Sequence, residues 1–112
     1  MSKNVQRPID VMHLAQYVGC PIYIDYGDSV HRRWLKGIET LRGDAVAIVE
    51  HGLGPWMSEY GWGWQAWAKK PTEEDRAAYP LGQRLGKPCP CPEKAPSWLQ
   101  RAFEQRRHAD EL

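Results

Sequence analysis

Short strand-like segments separated by glycine turns dominate the middle of this chain and limit what it can fold into. Ile22 to Tyr26, Val30 to Leu41 and Ala45 to Glu50 are rich in β-branched and aromatic residues, which favour strands. Glycine-containing turns at residues 27–29 and 43–44 separate these segments. Because each connection is so short, successive strands are predicted to pair antiparallel.

Other positions in this region refine the prediction. Gly37 lies inside the longest segment, which predicts a bulge or bend there. Residues 51–55, His-Gly-Leu-Gly-Pro, are predicted to form an irregular loop, and Trp64 to Ala68 a further strand. The expected fold class is α+β, with a small, strongly bent antiparallel sheet or an SH3-like barrel. An ordinary α+β sheet is the alternative.

Helices are predicted on both sides of the strands. Asp10 caps a leading helix whose apolar positions are Val11, Leu14, Ala15 and Val18, and Gly19 ends it. The pair Thr72 and Asp75 has the spacing of a capping box for a short helix that ends before Pro80.

The chain is predicted to be a single domain made of several parts. Residues 1–79 form a compact unit, residues 80–96 a linker rich in Pro, Gly and Cys, and residues 97–112 a C-terminal helix. That last helix carries an apolar stripe of Trp98, Leu99, Ala102 and Phe103. The pattern leaves open whether the stripe packs on its own chain or on a partner.

A segment that combines tryptophan with glycine is the strongest functional signal. It runs from Trp56 to Trp67, and Gly61 and Gly63 flank Trp62, so that neighbouring side chains cannot cover its ring. In an extended chain Trp62 and Trp64 share a face. Exposed aromatic side chains anchor protein interfaces, hold proline-rich peptides or stack on bases. The predicted partner-binding residues here are Trp56, Tyr60, Trp62 and Trp64; the alternative is a loop packed around a tryptophan core.

The second strand segment carries a set of basic residues. Arg32 and Lys36 alternate onto one face of the strand together with Trp34, and Arg33 lies on the other. These cations are the second predicted partner-binding set, suited to phosphate or to an acidic protein surface. The alternative is a solvated edge strand whose charges prevent aggregation.

Overall charge argues against the two extreme nucleic-acid classes, although it leaves a local charged patch open. Fifteen basic residues stand against fourteen acidic ones, for a formal net charge of +1. A non-specific nucleic-acid binder is strongly basic, and a mimic of a nucleic-acid backbone is strongly acidic.

Cysteine content and the N-terminal residues indicate the cellular setting. Three cysteines, an odd number, do not make a disulfide framework, so the thiols are expected to be reduced and the protein cytoplasmic. No apolar run long enough to be a signal peptide or a membrane span is present. Cys20, Cys89 and Cys91 with a histidine (His13, His51 or His108) could supply zinc ligands, but Cys-x-Cys is not a standard zinc spacing. No metal and no cofactor are expected.

Catalytic residues are hard to find in this sequence. Glu50 and His51 beside a glycine-rich segment are the best acid–base pair, but no recognisable spacing links them to a nucleophile. The prediction is therefore that the protein is not an enzyme, with a small enzyme centred on Glu50 and His51 kept as an alternative.

Two motifs resemble those of small accessory proteins encoded by bacteriophages and prophages. They are Leu35-Lys36-Gly37-Ile38 and Lys70-Pro71-Thr72-Glu73-Glu74-Asp75, and the likeness covers roughly residues 9 to 79. The resemblance implies a bacterial host cytoplasm and a partner such as a bacterial protein or a ribonucleoprotein defence complex of the CRISPR type. The expected function is a non-enzymatic, anti-CRISPR-like inhibitor that acts by steric occlusion. The alternative is a nucleic-acid-binding accessory protein that uses the basic and aromatic residues.

Overall fold

A computed structural model of the chain describes residues 7–80 and 91–111, with side chains as far as residue 105. It contains both helices and strands, so the α+β class is confirmed. In chain order the elements are a long 3₁₀ helix (Val11–Tyr17), β1 (Pro21–Asp25), β2 (Val30–Leu41), β3 (Asp44–Val49), β4 (Gly52–Trp56), a short 3₁₀ helix (Met57–Glu59), β5 (Gln65–Ala68), α1 (Glu73–Ala78) and α2 (Ser97–Glu111).

The strands form one antiparallel sheet in which β2 is the central element. The sheet has five strands in the order β4-β3-β2-β1-β5. The first half of β2 pairs with β1 and the second half with β3, and the register shifts between Leu35 and Gly37. The irregularity predicted at Gly37 is therefore confirmed. Arg42 and Gly43 take positive φ angles of 55° and 87° in the tight β2–β3 turn, the backbone form that suits the twist of a hairpin.

β4 corrects the prediction of an irregular loop over residues 51–55. Gly52–Trp56 pairs with β3 at the end of the strand order. An end strand tolerates Pro55, because a missing N–H there costs no pairing on the outer side. Gly54 is needed for a close approach, since a Cβ at that position would lie 2.9 Å from the carbonyl oxygen of Ala47. Glycine and proline are thus compatible with a strand at the edge of the sheet. The residues of this segment alone did not indicate that strand.

Replacing Gly54 with alanine tests this close approach. The added methyl group meets backbone, which cannot rotate away, so we expect Gly54→Ala to lower the free energy of unfolding by about 1–3 kcal/mol in chemical denaturation. Gly37→Ala is the control, because a Cβ there meets nothing within 4 Å. Equal losses for the two variants would contradict the packing of β4 on β3.

The long 3₁₀ helix corrects the predicted α-helical periodicity. Asp10 caps it as expected, with its carboxylate accepting a hydrogen bond from the amide of Met12 at 3.2 Å. A 3₁₀ helix repeats every three residues, so the four apolar positions do not share one buried face. Leu14 is fully buried, whereas Val11 and Ala15 are exposed.

The sheet is covered on both faces. Successive β1 residues alternate between two hydrophobic clusters: Ile22 and Ile24 belong to one, and Tyr23 to the other. The Trp64 cluster also contains Ile9, Leu14, Leu35, Ala47, Val49, Ala66 and Ala68. The Leu99 cluster also contains Val30, Trp67 and Ala95.

α2 packs on the same chain, which resolves a question the sequence left open. Leu99 is fully buried, and Phe103 meets Tyr23 of β1 edge to face at 5.5 Å between ring centroids. Trp98 contacts Trp67 in the same manner at 5.5 Å but stays partly exposed. Residues 81–90 of the predicted linker lie outside the described residues.

The cysteines depart from the expected reduced state. Cys20 is disulfide-bonded, so the prediction of reduced thiols is wrong for this residue, and the argument from cysteines for a cytoplasmic location falls with it. The Cys91 thiol is free, and burial raises its pKa to about 11. The predicted metal-ligand candidates Cys89 and His108 lie outside the side chains that are described.

Within residues 7–80 and 91–111, no helix has the length and apolar character needed to cross a bilayer.

Candidate functional site

Trp62 lies on a tight turn between the short 3₁₀ helix and β5. The carbonyl oxygen of Glu59 accepts hydrogen bonds from the amides of Trp62 at 3.3 Å and Gly63 at 2.8 Å, and the amide of Gly61 donates to Trp64 at 2.8 Å. The indole N–H of Trp62 donates to the carbonyl oxygen of Ser58 at 3.3 Å. Trp62 is nevertheless 78% exposed. It is therefore a large apolar surface held in a defined position.

The role of Gly61 is conformational. Its φ of +102° is one that other residues rarely adopt. The glycines on either side of Trp62 carry no side chains that could cover it, as the sequence indicates. The structure adds that Gly61 reverses the chain, so that Trp62 projects from a turn rather than from a strand.

A small cavity of about 140 Å³ adjoins the exposed ring. Its walls come from the end of β1, the β1–β2 turn and the Trp62 turn, and its larger lining side chains are Asp25, Tyr26, Trp62, Trp64 and Gln65. Tyr26 is itself exposed and meets His31 edge to face at 5.6 Å. Burial raises the pKa of the Tyr26 hydroxyl, and nearby Arg33 opposes that shift.

Sequence reasoning missed Asp25 and Tyr26 as site residues. The available signal was Asp25-Tyr26-Gly27-Asp28, an aromatic residue beside a glycine turn, which is the same argument that singled out Trp62. Only the pairing of β1 with β5 places the two turns side by side.

Trp64 is a core residue, which corrects its assignment to the partner-binding set. Its side chain is 2% exposed, and its indole N–H donates to the carbonyl oxygen of Trp56 at 2.7 Å. The strand alternation that placed Trp62 and Trp64 on one face fails because the chain turns at Gly61. Trp67 is buried as well, in the Leu99 cluster.

Tyr60 is also occupied within the fold. Its ring contacts Trp64 edge to face at 4.7 Å, and its hydroxyl donates to the carbonyl oxygen of Ile9 and accepts from the amide of Ala66 at 3.1 Å. Burial raises the pKa of this hydroxyl. Tyr60 is thus bound into the fold, Trp56 is partly exposed, and Trp62 is the predicted aromatic residue that faces solvent most fully.

The predicted basic face is not assembled. Arg32 forms a two-point ion pair with Asp75, at 3.0 Å from Nε to Oδ1 and 2.9 Å from Nη2 to Oδ2, and the two side chains are only 9% and 11% exposed. The Arg32 guanidinium also lies 4.5 Å from the ring centre of Tyr23. Arg33 donates to the carbonyl oxygen of Arg32 and is half-buried, so Lys36 alone of this set is exposed. The assignment of Arg32 to a partner-binding surface is wrong.

Glu50 and His51 line a separate groove of about 460 Å³ between the sheet and the helices. Glu50 is 7% exposed, and its Oε1 accepts a hydrogen bond from the amide of Trp34 at 2.8 Å. Its Oε2 lies 3.6 Å from Nε2 of the exposed His51. The hydroxyl of Thr72, also in the groove, is engaged in the capping box of α1. Glu50 thus binds the backbone of β2. In the alternative of a small enzyme centred on Glu50 and His51, His51 is the residue left accessible for acid–base chemistry.

Within the described part of the chain, no three His, Cys, Asp or Glu side chains come together as metal ligands. Comparisons with protein-family models, with curated proteins and with solved structures find no match for this chain.

Proposed function

We propose that the protein is a non-enzymatic protein-binding module whose contact surface centres on Trp62 and Tyr26. The exposure of Trp62 carries the proposal. Tryptophan is enriched among the residues that dominate binding energy at interfaces. The hydrogen bond from the indole to Ser58 and the tight turn already restrict the ring, so little conformational entropy is lost on binding.

The setting we propose is a phage-encoded inhibitor that blocks a bacterial defence complex, of the CRISPR type, in the host cytoplasm. The phage-like motifs at residues 35–38 and 70–75 support this choice of partner. The balanced charge favours direct occlusion by a small contact surface over mimicry of a nucleic acid.

An SH3-like barrel is the form of the sheet that we propose. β1 pairs with both β2 and β5, so the last strand joins the sheet beside the first. β4 and β5 are then the two end strands, which a barrel would bring together. The register shift near Gly37 supplies a bend in the longest strand. In such a barrel the Trp64 cluster fills the interior and α2 packs outside.

The binding prediction is that Trp62→Ala weakens capture of the partner at least about tenfold, which corresponds to losing one interface anchor. Tagged wild-type and variant proteins are incubated with a bacterial lysate, captured proteins are quantified by mass spectrometry, and the affinity for the enriched partner is then titrated. Trp98→Ala is the matched control, because it removes a partly exposed tryptophan from α2. Unchanged affinity for Trp62→Ala would show that the interface lies elsewhere.

Salt dependence separates this proposal from the nucleic-acid alternative. The affinity of binding through phosphate contacts falls steeply as the salt concentration rises. The affinity of an interface anchored on an aromatic ring should change little with salt. A steep salt dependence that is lost in Arg33→Gln and Lys36→Gln would favour the alternative.

A further inference from the structure

The cavity beside Trp62 carries a charge as well as aromatic walls. Of the described residues that line it, Asp25 is the only one with a formal charge, and the rest are aromatic rings, glycines and Gln65. Its volume of about 140 Å³ is that of a single side chain rather than of a cofactor.

Asp25 is placed to accept a further hydrogen bond. Its Oδ1 accepts the amide of Gly27 at 2.8 Å, which fixes the carboxylate in the β1–β2 turn. Among the described residues no lysine or arginine forms an ion pair with it. Arg33, which lies near Tyr26, donates from its guanidinium to the carbonyl oxygen of Arg32. The carboxylate therefore faces an aromatic cavity, and no lysine or arginine of residues 7–80 and 91–105 is in ion-pair contact with it.

We infer that this cavity receives an arginine side chain of the protein partner, with its guanidinium on the Trp62 ring and hydrogen-bonded to Asp25. The inference rests on the proposed function and states the chemistry of its partner. A cation over a tryptophan face is attracted by the negative charge of the ring face. Arginine fits better than lysine, because its planar group stacks on an aromatic ring and pairs with a carboxylate through several donors.

The direct test uses a blocked Gly-Arg-Gly peptide and a matched peptide in which citrulline replaces arginine. Citrulline keeps the length and planar end group of arginine but has no charge. The indole N–H signal of Trp62 is followed by NMR in ¹⁵N-labelled wild-type protein and assigned with Trp62→Ala. We expect saturable shifts with the arginine peptide and an affinity about fivefold weaker with the citrulline peptide. No saturable shift, or equal affinities for the two peptides, would overturn the inference, because both peptides are measured on the wild-type protein.

Asp25→Asn provides the variant test, because asparagine keeps an oxygen that can accept the Gly27 amide while removing the charge. We expect Asp25→Asn to lower the affinity for the arginine peptide about fivefold and to leave the affinity for the citrulline peptide unchanged. A blocked Pro-Pro-Pro peptide is the competing probe, and tighter binding of this peptide than of the arginine peptide would overturn the inference.

The two proposals fail in different ways. If Trp62→Ala abolishes capture of the partner while Asp25→Asn leaves its affinity intact, the binding module stands and the arginine inference is wrong. If Trp62→Ala leaves the affinity unchanged, the proposed function itself fails, whatever the peptides show.

Discussion

Truncating Trp64 to alanine is expected to lower the free energy of unfolding by about 3–5 kcal/mol, because it empties a large volume in the core. Among the side chains that the structure describes, Trp64 is the largest that is fully buried, and its N–H donates to the carbonyl oxygen of Trp56. Denaturation in guanidinium chloride measures the loss. Trp64→Phe should lose less, because most of the ring volume remains.

Trp62→Ala is the matched comparison for that experiment. It removes the same side chain two positions earlier in the sequence, yet the exposed ring and one exposed hydrogen bond should contribute less than about 1 kcal/mol to stability. A loss at Trp62 as large as that at Trp64 would show that both rings are structural and would remove the basis of the proposed interface.

Asp75→Ala is expected to destabilise the protein by about 3–5 kcal/mol, because it leaves the buried Arg32 guanidinium without its counter-charge. Asp75 also accepts the amide of Thr72 at 2.8 Å in the capping box of α1, so one substitution removes the ion pair and the helix start together. Thermal or chemical unfolding measures the effect. Glu73→Ala is the control, since Glu73 is an exposed acidic residue in the same helical turn.

The same ion pair predicts how stability depends on pH. Burial alone would raise the pKa of Asp75, but the hydrogen bonds and charge of Arg32, together with the hydrogen bonds from Thr72, outweigh it and hold the pKa below its ordinary value of 3.8. A carboxyl group with a lowered pKa stabilises the fold above its ordinary value, and this contribution is lost as the pH falls through the lowered one. The stability difference between the wild-type and Asp75→Ala proteins should therefore shrink below pH 3.8. A constant difference down to the lowest measurable pH would contradict the assignment.

Local signals in the sequence were sufficient for several elements. β2 spans Val30 to Leu41 as predicted, the capping box of Thr72 and Asp75 starts α1, and Asp10 caps the leading helix. Each of these elements depends on residues that are close together in the chain. β2 depends on strand propensity bounded by turns, and the two helix starts depend on a side chain that accepts a hydrogen bond from a backbone amide within three residues. The exposure of Trp62 was predicted on the same local grounds.

Contacts between residues far apart in the sequence decided the rest. Whether Arg32 faces solvent or is buried depends on Asp75, 43 residues further along the chain. β4 exists because β3 supplies its partner, which overrides the poor strand propensity of Gly54 and Pro55. The site itself arises where the pairing of β1 with β5 brings Asp25 and Tyr26 to Trp62. The sequence by itself determined the local elements and the open position of one tryptophan. Only the tertiary structure decided which charges and rings remain available, because burial and charge pairing are set by neighbours that only folding brings together.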